Sequence, residues 1–176
     1  NALNQLKLMI GLESVKERVK DFYSFLKYQK ERSSLGYQTK DEISLNMIFT
    51  GNPGTGKTTL ARLLAKIYYE LGVLPREEVI ETNRSQLVGS FVGQTEENVK
   101  AIVKKAVGGV LFIDEAYSLK REGQSGNDYG QAAIDTLVSL MTSQEYAGKF
   151  AVILEAYPDE MRQFIDANTG LQSRFP

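Results

Sequence analysis

Two groups of residues in this sequence have the types and spacing to do phosphate chemistry. The first, Gly51-Asn52-Pro53-Gly54-Thr55-Gly56-Lys57-Thr58, fits the phosphate-binding pattern G-x-x-x-x-G-K-[ST] at every fixed position. Glycines at 51, 54 and 56 allow unusual backbone angles and leave no side chain in the way, so successive N–H groups can turn inward on an anion. A helix that starts there adds the partial positive charge of its N-terminus. The second group is Asp114-Glu115, directly after the apolar run Val110-Leu111-Phe112-Ile113. Asp114 can hold Mg²⁺, directly or through water, beside the Thr58 hydroxyl, while Lys57 contacts the β- and γ-phosphates. Glu115 is then free to polarise a water for in-line attack on the γ-phosphate.

Each group has a plainer reading. A glycine-rich turn also caps ordinary helices, but such a turn needs neither Lys57 nor Thr58. Two glycines, a lysine and a hydroxyl residue at this spacing should arise by chance in well under roughly one chain in a hundred of this length. Asp114 and Glu115 alone could simply end a strand; beside Lys57 and Thr58 the catalytic reading is the stronger one. Nucleotide binding, with ATP and Mg²⁺ as ligands, is therefore the leading expectation.

The surrounding sequence supplies the elements such a site needs. Leu45, Met47, Ile48 and Phe49 read as a short strand before the glycine loop, and Leu60, Leu63, Leu64, Ile67 and Leu71 follow at helical spacing. Gly72 and Pro75 end that helix. Val79-Ile80-Glu81-Thr82 is a second strand. Thr95 to Val107 is a helix whose Glu96 and Glu97 lie in the first turn and Lys104 and Lys105 in the last, as the helix dipole favours. Residues 110–113 form a strand buried on both faces, and Phe150 to Leu154 a fourth. Lys120 to Asp128 is a loop, with Asp128 and Gln131 at capping-box spacing before a helix carrying Ile134, Leu137, Val138 and Met141. Upstream, Leu12, Val15, Val19, Phe22 and Leu26 share one face of an amphipathic helix over 12–32, joined by a polar connector over 33–44. Strands alternating with helices predict an α/β fold with a parallel sheet covered on both faces, and Asp114-Glu115 falls at the carboxyl strand edge where open α/β sheets place their active sites.

Composition narrows the function classes. The chain has 176 residues and a formal charge of −1, with short Lys/Arg clusters flanked by acids, so a nucleic-acid partner is disfavoured. It has no cysteine and no histidine, which removes thiolate metal sites and the commonest general base. No apolar stretch approaches the roughly 18 residues of a membrane span and the N-terminus is not a signal peptide, so a cytoplasmic, membrane-free protein is expected.

With these residues in place, the chain resembles the AAA+ ATPases, and within them the group of stage V sporulation protein K and the red-type rubisco activase. The resemblance is carried by Ile10-Gly11-Leu12, GNPGTGKTT at 51–59, LVGSFVGQT at 87–95, GGVLFIDEAY at 108–117 and Gly170-Leu171-Gln172-Ser173-Arg174-Phe175, in the family's order. It implies a P-loop NTPase three-layer sandwich, with 1–44 an N-terminal helix and connector and 45–176 the nucleotide-binding core. It further implies a ring, commonly a hexamer, that uses ATP to thread or remodel a protein. Carried over residue by residue, Pro53, Gly54, Thr55, Gly56, Lys57, Thr58 and Thr59 hold the phosphates, Thr58 and Asp114 the metal, and Ile10, Gly11 and Leu12 bracket adenine. Glu115 and Lys57 act in catalysis, and Arg174 matches the arginine finger that reaches a neighbour's γ-phosphate. Phe91-Val92-Gly93 matches the loop that grips substrate in the pore.

There are departures. Where Leu-Ala-Gly-Tyr is expected after the fourth strand, the chain has Leu154-Glu155-Ala156-Tyr157. Glu155 brings an extra carboxylate towards the metal site, or else points into a subunit interface, and the sensing role at this strand end falls to Tyr157. The sequence reaches only Pro176, whereas the family continues with another strand and a small helical lid. A nucleotide-gated assembly module with little hydrolysis is the alternative function. A GTPase or phosphotransferase fares worse, because no Asn-Lys-x-Asp guanine-reading tetrad is present.

Overall fold

The computed structural model describes residues 13–36, 45–50, 56–119 and 129–175. The helix α1 covers Glu13–Ser34, as its apolar spacing predicts. The strand β1 (Met47–Thr50) leads to helix α2 (Lys57–Glu70), and β2 (Val79–Thr82) to the short helix α3 (Arg84–Leu87) and then α4 (Gln94–Ala106). Strand β3 (Val110–Ile113) runs into a single 3₁₀ turn (Ala116–Leu119). Helix α5 (Gly130–Thr142), strand β4 (Ala151–Ala156) and helices α6 (Pro158–Asp166) and α7 (Thr169–Gln172) complete the described chain.

All four strands are parallel, in the order β1-β4-β3-β2. The C-terminal ends of β1 and β3 therefore flank that of β4. Alternation along the strands divides the core into two layers. Phe49, Val110, Phe112, Ala151 and Ile153 pack with Leu60, Leu64, Ile67 and Tyr68 of α2 and Leu26 of α1. Leu111, Ile113, Val152, Leu154 and Ala156 pack on the other face with α4, α5 and α6. This is the three-layer α/β arrangement the sequence predicts.

Polar contacts fix the register of the first layer. Tyr68, buried in α2, donates its hydroxyl to the Leu45 carbonyl at 2.7 Å, and its ring meets Phe22 of α1 edge-on at 5.9 Å. Burial pushes the phenol far above its ordinary pKa, so it serves as a neutral donor. Just before β1, the Asn46 side chain accepts from the Val152 N–H at 2.8 Å and donates to the Arg174 carbonyl at 3.2 Å. One amide thus joins β4 to the last described turn.

Two sequence expectations shift. Strand β4 extends to Ala156, so Glu155 lies inside the strand instead of after it. The N-cap of α5 is Tyr129, with no side-chain cap bond, so the expected Asp128–Gln131 capping box does not open this helix; Asp128 itself lies outside the described residues. Gln131 instead donates to Asp135 and Asn168 at 2.9 and 3.2 Å, because the helix starts one residue later than the box requires. The four-residue helices α3 and α7 carry too few apolar repeats to be read from periodicity, whereas Met161, Phe164 and Ile165 of α6 stand at helical spacing and share its buried face.

Candidate active site

The phosphate-loop helix begins as expected. Gly56 caps α2 with φ 82°, a left-handed conformation that costs glycine nothing, and its carbonyl accepts the first helical bond from Leu60 at 3.0 Å. Lys57 opens the helix, and the partly buried Thr58 and the exposed Thr59 follow in its first turn, whose N–H groups have no partner within the helix. The Lys57 side chain, Pro53, Gly54 and Thr55, and the Ile10, Gly11 and Leu12 candidates lie outside the described residues.

Across β4, the acidic pair sits on a tight turn. The Asp114 N–H donates to the Thr82 carbonyl at 2.9 Å, carrying the β2–β3 ladder one residue past the strand. Glu115 then takes φ 49°, and among the described residues it is the only non-glycine with positive φ. Such a conformation in a long side chain costs roughly 1–2 kcal/mol. The turn is held from both sides. The Glu115 N–H donates to Glu155 Oε2 at 3.1 Å, and its carbonyl accepts from the N–H and hydroxyl of Ser118 at 2.9 and 2.7 Å.

Register explains how Glu155 reaches that turn. It pairs with Phe49 of β1 and follows Leu154, which pairs with Ile113 of β3. By alternation it shares the α2-facing layer with Ile153 and Phe49, and Asp114 continues the same layer beyond Phe112. Glu155 is only 6% exposed. The two carboxyl groups share a hydrogen bond that, with burial and repulsion from Glu155, Glu115 and Glu81, raises the pKa of Asp114 to about 6. Of the two placements open for Glu155, the one beside the acidic pair is the one observed.

This donor set suits a hard cation. Among the described residues no three acidic, His or Cys side chains form a metal cage. Mg²⁺ does not require one, since it is held by one or two protein oxygens together with phosphates and water. The Thr58 hydroxyl and the Asp114 carboxylate are partly buried oxygens on the α2 side of the sheet, and a cation there would relieve the repulsion that raises Asp114.

The remaining candidates lie around this edge or far from it. Tyr157 is the residue before α6, and its ring meets that of Tyr117, two residues past Glu115, at 6.4 Å. Phe91 and Val92 are 72% and 90% exposed, so Phe91 is not a core residue. The backbone of their loop is tied to the start of α4: Gln94 Oε1 accepts from the N–H groups of Ser90 and Phe91, the Phe91 carbonyl accepts from the Gln94 N–H at 3.1 Å, and the buried Thr95 accepts from Gly89. Arg174 is partly buried and donates to Ser173 Oγ at 2.6 Å. Its carbonyl is bound to Asn46, at the opposite end of β1 from the phosphate loop. The spacing of motifs gave no sign of Asn46, Gln94 or Thr95 as supports; the Asn83-Arg84-Ser85 run is a short N-cap signal that could have revealed α3, where Asn83 accepts from Ser85 N–H at 3.0 Å.

Comparison with known proteins agrees with this geometry. Residues 47–176 match the model of the ATPase family associated with various cellular activities (AAA). The chain is 42% identical over 172 residues to stage V sporulation protein K of Bacillus subtilis, covering 98% of this chain and 52% of that protein. It is 42% identical over 166 residues to the chloroplastic ribulose bisphosphate carboxylase/oxygenase activase of Cyanidioschyzon merolae, covering 94% and 55%. It is also 42% identical over 171 residues to the ESX-3 secretion system protein EccA3 of Mycobacterium tuberculosis (strain H37Rv), covering 97% and 26%. The chain thus spans about half the length, or less, of the curated relatives it matches. A phosphate-loop helix and an acidic turn on one edge of a parallel sheet, together with a family match over most of the sequence, establish that this chain belongs to the AAA family of ATPases.

Proposed function

We propose that this chain is the nucleotide-hydrolysing core of a protein-remodelling motor. The observation that carries this reading is the convergence of the α2 N-terminus and the Asp114–Glu115 turn on the same edge of the sheet, on either side of β4. In this reading the glycine-loop amides and Lys57 hold the β- and γ-phosphates. Mg²⁺, held by Thr58 and Asp114, would neutralise charge on the phosphate oxygens. Glu115 accepts a proton from the attacking water as its oxygen bonds to the γ-phosphorus, and the bond to the β-phosphate oxygen breaks to release ADP. Tyr157 is positioned to report γ-phosphate loss through the start of α6. The exposed Phe91 and Val92 grip a protein substrate, since an apolar pair held out in water has no packing role.

Arg174 completes a neighbour's site in this reading. Its backbone is anchored beside Asn46, about 13 Å of β1 strand away from its own phosphate loop. The family resemblance makes a hexameric ring the expected assembly. Among the described residues no helix is long and apolar enough to cross a membrane.

The test is a pair of substitutions in the full-length protein. Lys57→Ala should abolish tight ATP binding, whereas Glu115→Gln should keep it and slow hydrolysis by at least about a hundredfold. Equal loss of affinity in both would overturn the division of roles. Arg174→Ala should keep binding but remove the rise of hydrolysis per subunit with protein concentration; a concentration-independent rate would defeat the trans-acting role.

A second reading has its own support. Glu155 occupies both the Asp114 carboxyl and the Glu115 N–H, which favours a nucleotide-gated assembly module that hydrolyses little. Nucleotide-dependent assembly with hydrolysis unaffected by Glu115→Gln would select it.

A further inference from the structure

We infer that Arg84 is a positioning residue that transmits the state of the hydrolytic turn to the substrate-gripping loop. The inference rests on the roles proposed above for Glu115 and Phe91. Arg84 Nη1 donates to the Ser118 carbonyl at 2.8 Å and to the Leu119 carbonyl at 2.6 Å. Those carbonyls end the 3₁₀ turn that begins right after Glu115, and Ser118 is itself bonded twice to the Glu115 carbonyl. A displacement of Glu115 therefore moves the two acceptors that hold the guanidinium.

The other end of Arg84 is fixed to the loop. Its carbonyl accepts from the Val88 N–H at 2.8 Å, and Val88 precedes Gly89, whose N–H is held by the buried Thr95. Two residues further on is Phe91. The connection is tight on its far side as well. A Cβ on Gly130 would fall 1.5 Å from the Leu119 carbonyl oxygen and 2.8 Å from Arg84 Nη1, so only glycine lets α5 approach this closely. Arg84 is thus clamped between the turn after β3 and the first turn of α5, while its backbone forms the first residue of α3. A charged donor on two main-chain carbonyls makes stronger bonds than a neutral one, and a short helix moves as a unit. The linkage makes the loop follow the turn, in place of independent motion.

The chain contains no tryptophan, so Phe91→Trp reports on the loop by its emission in the full-length protein, read as the difference from the parent. In the Phe91→Trp protein, emission should differ between ADP and a slowly hydrolysed ATP analogue. Adding Arg84→Ala should remove at least about three quarters of that difference and leave the affinity for a fluorescent ATP analogue within about threefold. Arg84→Lys should restore at least about half of it, because both bonds come from one nitrogen and an ammonium has three donors. Arg84→Met, which keeps the aliphatic stem, replaces the alanine variant if that one loses cooperative unfolding. An unchanged emission difference in a folded Arg84→Ala or Arg84→Met protein overturns the linkage, as does a parent reporter that binds the analogue without any change. Failure of the parent to bind the analogue would instead overturn the nucleotide reading, and this inference with it.

Discussion

The Asp114–Glu115 turn and the Phe91–Val92 loop follow neighbouring strands of one sheet, yet they are built in opposite ways. The acidic turn is gripped at the Asp114 N–H by the Thr82 carbonyl and at the Glu115 N–H and carbonyl by Glu155 and Ser118, and it stores an unfavourable φ. The backbone of the apolar loop is tied to Gln94 and Thr95, but both of its hydrophobic side chains stand in water. Charge is held in place at the turn, while apolar surface is left in water at the loop. Each arrangement costs stability, the first through strain and buried carboxylates, the second through unburied area.

The largest expected effect separates the loop phenylalanine from the one beneath the turn. Phe112→Ala should cost about 3–5 kcal/mol in urea unfolding, because that ring is fully buried between α2 and the sheet, while Phe91→Ala should stay within about 0.5 kcal/mol. Similar losses at both positions would break the comparison. A smaller effect sharpens it at the strained residue. Asparagine tolerates left-handed backbone, so Glu115→Asn should stabilise the fold by about 0.5–1 kcal/mol while removing hydrolysis. A destabilised variant would show that the conformation carries no strain.

The smallest effect is a pH dependence. Asp114 titrates near 6 in the fold, mainly through its hydrogen bond to Glu155, against 3.8 ordinarily. Between these values the folded state binds more protons than the unfolded one, so this group's contribution lowers stability as pH rises. Glu155→Gln should remove that penalty, raising Tm relative to the parent by about 2 °C at pH 7 but not at pH 4, without divalent cations; the effect is small because Asp114 is partly solvated. A Tm difference that does not change with pH would mean that the two carboxyl groups do not interact.

Much of this arrangement was legible in the sequence. The helix after the glycine motif and the fully apolar strand before Asp114 read directly, because their apolar residues recur at helical spacing or run without a break. The strands carried enough β-branched and aromatic residues to be found. What could not be read is long-range. Glu155 was visible as an unexpected carboxylate, but its bond to the Glu115 N–H depends on the β3–β4 register and on β4 running two residues further than its apolar run. The Asn46 bridge spans 128 residues to Arg174 and 106 to Val152, and no local pattern encodes a contact over such a distance.

That Asn46 bridge has a consequence for symmetry. It places the last described turn at the amino pole of the sheet, while the phosphate helix and acidic turn occupy the carboxyl pole. In the proposed reading, where Arg174 serves a neighbour's nucleotide, the amino pole of one copy must lie against the carboxyl pole of the next. An antiparallel pair would satisfy two such contacts at once, whereas copies that point the same way meet head to tail. Such heterologous contacts repeat from one copy to the next, and they end only when the rotation between neighbours closes into a circle.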